Sequence, residues 1–176
     1  MEVVNGSEGN FQQFYEFTFP QIYKFLIRIT RDSMVAEELC QEAFIKYLER
    51  NAPFSREEEG RFWLFRVAKN LALNHVKRVD RERNAYDRSV REPILLPETG
   101  EEEYLKKESI HQVLEALNRL PYKLREVLVL KEYGALNYKE ISSILHISEA
   151  NVKVRVHRAR ERLAQYFHDS EETYVP

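Results

Sequence analysis

The chain has 176 residues, 43% hydrophobic and 32% charged, and its 27 basic and 29 acidic side chains leave a formal charge of −2. That apolar share supports one medium or two small packed domains and excludes a wholly disordered chain, while the balance of charge gives no overall pull towards a polyanion. Its five glycines are too scattered for a phosphate-cradling loop, and the single Cys40 excludes an intramolecular disulfide and any zinc site built on two or more cysteines.

Taken in chain order, Phe11, Phe14 and Tyr15 predict a first helix, and Pro20 is expected to break or kink its join to a stripe of Ile22, Phe25, Leu26 and Ile29. Asp32 or Ser33 can cap a second helix, striped by Ala36, Leu39, Cys40, Ala43, Phe44 and Tyr47. Asn51 to Phe54 ends it, and Glu57 to Gly60 reads as an acidic loop. A third helix is expected from about Phe62 to Val79, with Phe65, Ala68, Ala72, His75, Val76 and Val79 in register.

From about Asn84 to Lys107 the periodicity fails around Pro93, Pro97 and Gly100, which predicts an interdomain linker. A helical pattern returns with Ile110, Val113, Leu114 and Leu117 and stops at Leu120; Pro121 suits the first turn of the next helix and Gly134 its C-cap. Alternating strand patterns are absent. The expected fold is therefore all-α, with two small helical domains over residues 8–83 and 108–168 and a flexible linker over 84–107.

Charge is segregated along this plan. Residues 1–60 carry 6 basic and 11 acidic side chains, residues 61–91 carry 9 and 3, and residues 139–163 carry 6 and 3. A chain striped in this way can offer two basic surfaces to one polyanion while its acidic part faces another partner.

Residues 136–163, LNYKEISSILHISEANVKVRVHRARERL, have a helix-turn-helix layout. A short helix over Tyr138–Leu145 turns at His146 and Ile147, and Ser148 caps a longer helix. At roughly 100° per residue, Val152, Val156, Ala159 and Leu163 fall on one buried stripe. The opposite face then carries Ala150, Val154 and His157, with Asn151 and Arg158 at one shoulder. Lys153 and Arg160 flank one side, and Arg155 and Arg162 the other, which suits a groove walled by two phosphate rows. The earlier basic stretch differs in kind. Arg61, Arg66, Lys69, Lys77, Arg78, Arg81 and Arg83 lie among Phe54, Phe62, Trp63, Phe65 and Asn70, a mixture suited to opened or single-stranded DNA.

With these motifs in place, the chain resembles a bacterial RNA polymerase sigma factor of the extracytoplasmic function group, the minimal kind that has only the second and fourth sigma domains. The likeness spans roughly residues 10–168 and rests on AEELCQEAFIKYL (36–48), FWLFRVAKNLALNHVKR (62–78) and the segment 117–163. It implies that Glu38, Gln41 and Glu42 dock on the clamp helices of core RNA polymerase. It further implies that Phe54, Arg61, Phe65, Arg66, Asn70, Lys77 and Arg78 serve the −10 element, with Phe54, Phe65 and Asn70 holding a flipped base. Asn151, Lys153, Val154, Arg155, His157, Arg158 and Arg162 then serve the −35 element. Two departures stand out: His146 replaces the family's usual turn glycine, and Val154 stands where serine is common, exchanging a hydrogen-bond donor for a surface that suits a thymine methyl.

The resemblance makes core RNA polymerase and promoter DNA the expected partners and leaves room for an anti-sigma protein. A freestanding helix-turn-helix regulator is the alternative. The five histidines have no metal-binding spacing and no nucleophile meets a base, so no metal, cofactor, small-molecule substrate or catalytic centre is expected. No apolar run approaches the ~18 residues of a membrane span and the opening residues lack a signal-peptide layout, so no membrane insertion and a cytoplasmic location are expected.

Overall fold

The computed structural model describes residues 4–50, 54–85 and 112–172, and every regular element among the described residues is an α-helix. The chain divides into two compact units, Met1–Ile94 and Leu95–Pro176. Most of the expected linker, from residue 86 to 107, lies outside the described residues, whereas Asn84 and Ala85 still close a helix.

The first unit packs α1 (Val4–Thr30), α2 (Ser33–Leu48) and α3 (Glu57–Ala85) against one another. Its core takes Phe14, Ile22, Phe25, Leu26 and Ile29 from α1, Phe44 from α2, and Leu64, Phe65, Ala68 and Ala72 from α3. On α2 the residues turned inward at successive turns are Ala36, Cys40 and Ala43, all fully buried, and their small size lets the three helices approach closely. Burial, with Glu37 nearby, pushes the Cys40 thiol up to about 12, so it stays protonated and packs as a small apolar group.

Pro20 neither breaks α1 nor divides it in two; the helix runs through it. Proline removes the hydrogen bond that would reach Glu16, and both residues are exposed, so water can satisfy the freed carbonyl. At the α1–α2 turn Arg31 takes a left-handed conformation (φ 67°) and its N–H donates to the Ile27 carbonyl at 3.0 Å. Asp32 then caps α2, its Oδ1 accepting from the Met34 and Val35 amides at 2.9 and 3.0 Å. The expected acidic loop is instead the first turn of α3. Glu57, Glu58 and Glu59 sit where the unpaired amides of a helix N-terminus favour carboxylates, and Arg56 bonds back to Glu59 at 2.9 Å.

The second unit holds α4 (residues 112–119), α5 (Tyr122–Tyr133), α6 (Tyr138–Leu145) and α7 (Glu149–Glu172). Leu114, Leu117 and Leu120 are buried, but Val113 is exposed rather than part of that stripe. Pro121 is the N-cap of α5 and its carbonyl accepts from Leu124 and Arg125. Gly134 ends α5 with φ −85°, so its role is close approach. A Cβ there would lie 2.5 Å from the Leu130 carbonyl oxygen and 3.1 Å from Leu136, and the left-handed residue is the next one, Ala135.

Asn137 and Glu140 form a reciprocal capping box at the start of α6, with bonds of 2.9 and 2.7 Å. His146 ends α6 left-handed, at φ 54° and ψ 45°, and its own N–H donates to the Ser142 carbonyl. Ser148 Oγ then accepts from the Asn151 amide at 3.2 Å and opens α7. Val152, Val156 and Ala159 are buried against α5 and α6, while Leu163 is half-buried.

Candidate nucleic-acid and polymerase interfaces

On α7 the packing of Val152, Val156 and Ala159 fixes which side faces outward. Ala150, Asn151, Lys153, Val154, His157, Arg158, Glu161 and Arg162 are exposed, and Arg155 is half-buried. Val154 keeps 46% of its surface open in the middle of that face. Several polar groups already have partners. Arg155 Nε donates to Asn151 Oδ1 at 3.0 Å, and His157 Nδ1 lies 3.1 Å from Glu161 Oε2. Arg160 reaches off the helix to Glu132 of α5 at 2.6 Å, so this cation ties two helices together rather than flanking a groove. Lys153 leans towards Tyr138, its Nζ 5.8 Å from the ring centroid.

On α3, Arg66, Asn70, Asn74, Lys77 and Arg81 recur at three- and four-residue spacing and fall within about 80° of arc. All five are exposed, which makes one polar, cationic stripe. Arg61 is half-buried on the far side of the helix, and Arg78 lies beside the stripe, 3.9 Å from Glu82 and 3.4 Å from His75 Nδ1. Burial and the Arg78 charge lower the His75 pKa, favouring the neutral ring. Phe54 is half-buried in an aromatic cluster, 5.5 Å from the Tyr47 ring and 6.0 Å from Trp63. The Arg50 guanidinium lies over Phe54 at 4.0 Å and over Trp63 at 5.0 Å. Gly60 makes room for these rings: a Cβ there would stand 2.9 Å from Tyr47 Oη and 3.3 Å from Phe54 Cδ2.

Phe65 is a correction. It is fully buried, edge-on to Phe25 at 5.9 Å, so it cannot hold a flipped base and belongs to the core that supports α3. Its register with Ala68 and Ala72 already carried that reading.

On α2, Glu38 and Gln41 are exposed and Glu42 is half-buried, paired with Lys46 at 3.4 Å. The exposed apolar residues Met34 (75% open), Ile45 (53%) and Leu48 (60%) share their face. Positions 34, 38, 41, 45 and 48 alternate steps of four and three, the spacing of a coiled-coil seam.

Family models match at both ends of the chain: Sigma-70 region 2 over residues 14–82 and Sigma-70 region 4 over residues 110–163. The extracytoplasmic function (ECF) RNA polymerase sigma factor SigM of Bacillus subtilis is 32% identical over 152 residues, which cover 86% of this chain and 91% of the relative. The chain belongs to the ECF sigma factors.

SigW, another ECF sigma factor of the same organism, is 28% identical over 96% of this chain and 94% of its own. Among solved structures, the sigma factor RpoE of Bartonella quintana, crystallised with the anti-sigma factor NepR, matches the fold with a TM-score of 0.71 at 22% identity, covering 90% of this chain and 97% of that one. CnrH, solved with the cytosolic domain of CnrY, matches with a TM-score of 0.62. This is an alternative sigma factor and not a freestanding regulator, because region 2 is present beside the helix-turn-helix.

Sequence reasoning about this sigma factor missed Met34, Ile45 and Leu48, Asn74 and Glu161. The signal for the first three was present: with Glu38 and Gln41 they continue a four–three spacing that lies off the buried Ala36–Cys40–Ala43 stripe. Asn74 is four residues beyond Asn70 on the same stripe, and Glu161 is four beyond His157. None of the described helices is long and apolar enough to cross a membrane.

Proposed function

We propose that α2 docks on core RNA polymerase through Met34, Glu38, Gln41, Ile45 and Leu48, with Glu42 at the edge. The observation that carries this reading is the exposed seam itself. Three large apolar side chains open to water on one helix face are costly unless a partner covers them, and a four–three spacing is complementary to another helix. Arg66, Asn70, Asn74, Lys77 and Arg81 of α3 follow the opened −10 strand, with Arg78 at its margin, while Arg61 on the far side of the helix lies away from it. Phe54 and Asn70 take an extruded base, and capturing it offsets an unstacking cost of a few kcal/mol. The α7 face reads the −35 element, with Val154, His157 and Arg158 at base edges and Lys153, Arg155 and Arg162 nearer phosphate.

In this reading the protein works in the cytoplasm and has no active centre, since polymerase supplies the chemistry. An anti-sigma protein is a further partner, as NepR is for RpoE of Bartonella quintana. The deciding experiment adds purified protein to core polymerase on a promoter that core alone ignores, and run-off RNA is expected. Replacing Glu38, Gln41 and Glu42 together with alanine should abolish both the RNA and co-purification with core, without loss of helicity. Asn70→Ala should leave closed complexes intact and reduce permanganate-reactive thymines at −10. Phe65→Ala should instead lower folding stability by about 3–5 kcal/mol in denaturant titrations. Unchanged initiation by the alanine triple would remove α2 from the docking surface.

A further inference from the structure

Phe54 is the ring proposed above to take an extruded base, yet its faces are already in use. It stacks on Tyr47, with the ring planes 24° apart and the centroids 5.5 Å apart, and Trp63 stands tilted beside it at 6.0 Å. The Arg50 guanidinium lies over the same ring, 4.0 Å from its centroid and 5.0 Å from that of Trp63. That separation is van der Waals contact, so the guanidinium fills the layer that a stacked base needs. A base therefore reaches a face of Phe54 only if Tyr47 or Arg50 gives way. Tyr47 is fixed: it belongs to α2, and its ring also meets Phe11, Phe14 and Trp63 at 6.1, 5.1 and 6.2 Å. From α3, Gly60 comes so close that a Cβ there would stand 2.9 Å from Tyr47 Oη. Arg50 is two residues past the end of α2, half-buried, and carried on a long flexible stem. Its planar, delocalised head stacks on aromatic faces as a base does.

We infer that Arg50 holds the place of the base over Phe54 in the free protein, and that a base extruded from the opened −10 region takes that place by displacing the guanidinium. The inference rests on the proposed role of Phe54 and adds a competitor to it: the chain's own cation sets the threshold that a base must exceed to be captured. Left uncovered, the ring face would stack with any single-stranded base it met. Covered, it yields only to a base whose strand is also held by Asn70 and the cations of α3. The displaced guanidinium keeps its charge beside that strand, where a phosphate can take it up.

The test uses the full chain in complex with core polymerase and promoter fragments left single-stranded over the −10 region, on each strand in turn, with binding measured at several salt concentrations. Arg50→Lys keeps the charge but replaces the planar guanidinium by a compact ammonium that covers less of the ring. It is expected to bind one of the two fragments about two- to fivefold more tightly than the parent, the range of one surface cation–π contact. The salt slope should stay the same, because the charge does. In a Phe54→Leu background, where no ring face is left to compete for, Arg50→Lys should bring no gain. The inference is overturned if Arg50→Lys binds both fragments no more tightly than the parent, which would make the guanidinium a support of the ring or a direct contact to the strand. It is equally overturned if the gain survives Phe54→Leu, which would place its origin away from the ring. Should Phe54→Leu alone leave the binding of both fragments unchanged, the base-capture reading of Phe54 itself fails, an outcome distinct from both.

Discussion

Helices α2 and α7 of this sigma factor break the same rule in different surroundings. Both α2 and α7 bury one stripe and leave apolar side chains open on the other face, Met34, Ile45 and Leu48 on the first and Val154 on the second. On α2 the exposed apolar residues form a long seam edged by carboxylates. On α7 a single valine stands among cations. On the proposed reading, charge around the apolar group selects the class of partner. A seam with acidic margins excludes nucleic acid and admits a helix; one methyl-bearing residue between basic flanks admits a groove that carries a thymine methyl.

The sharpest way to break this comparison is to put charge into the seam. Ile45→Asp with Leu48→Asp should weaken binding to core polymerase at least about 100-fold, as expected when two interface anchors are lost. The loss should persist across salt concentrations, because the seam is apolar. Both positions are exposed, so thermal unfolding of the free protein should barely change. Retained affinity would show that the seam is covered by something other than polymerase.

A second experiment sharpens the α7 side. Arg158→Ala should relax preference at one or two −35 base pairs by about 1–3 kcal/mol, whereas Arg162→Ala should weaken all fragments in parallel and reduce the salt slope by about one unit. Titrating both variants, as polymerase complexes, against a panel of −35 fragments at several salt concentrations separates the two. A parallel loss for Arg158→Ala would assign it to the backbone and leave the reading to Val154 and His157. The smallest expected effect concerns the turn that aims α7. His146 holds a left-handed conformation that costs an L-residue about 1–2 kcal/mol, part of which glycine forfeits through greater freedom when unfolded. His146→Gly should therefore raise stability by up to about 1 kcal/mol in chemical denaturation, with −35 preferences unchanged.

The helix-turn-helix was legible in the sequence nearly residue by residue, because its signals are local. Tyr138 to Leu145 carry one apolar stripe, His146 interrupts the pattern, and Ser148 restarts it. Two misses in the first unit come from context that periodicity does not carry. Of the break or kink expected at Pro20, the break does not occur; the pattern cannot say whether the freed carbonyl faces core or water. The carboxylates at 57–59 looked like a loop because composition marks them polar without saying that they sit on a helix N-terminus. Phe65 is a third kind of miss. Its periodic register pointed inward, and the family resemblance pointed outward; packing against Phe25 agrees with the register. The likeness pointed to α2 and α7 as the interaction helices, but only the three-dimensional arrangement separates a cation available to phosphate from one already engaged.

Arg160 illustrates what such an engagement does for a helix that presents its outer face to a partner. Its bond to Glu132, together with the buried Val152, Val156 and Ala159, sets the roll of α7 about its own axis and leaves the outward positions out of that task. Frame and alphabet are thereby carried by different residues. On the proposed reading of α7, substitutions at 150, 154 or 157 would exchange one letter of the recognised promoter for another while the helix stays at the same angle over the same base pairs. On that reading, single changes on one face would give new promoter preferences without rebuilding the fold that presents them.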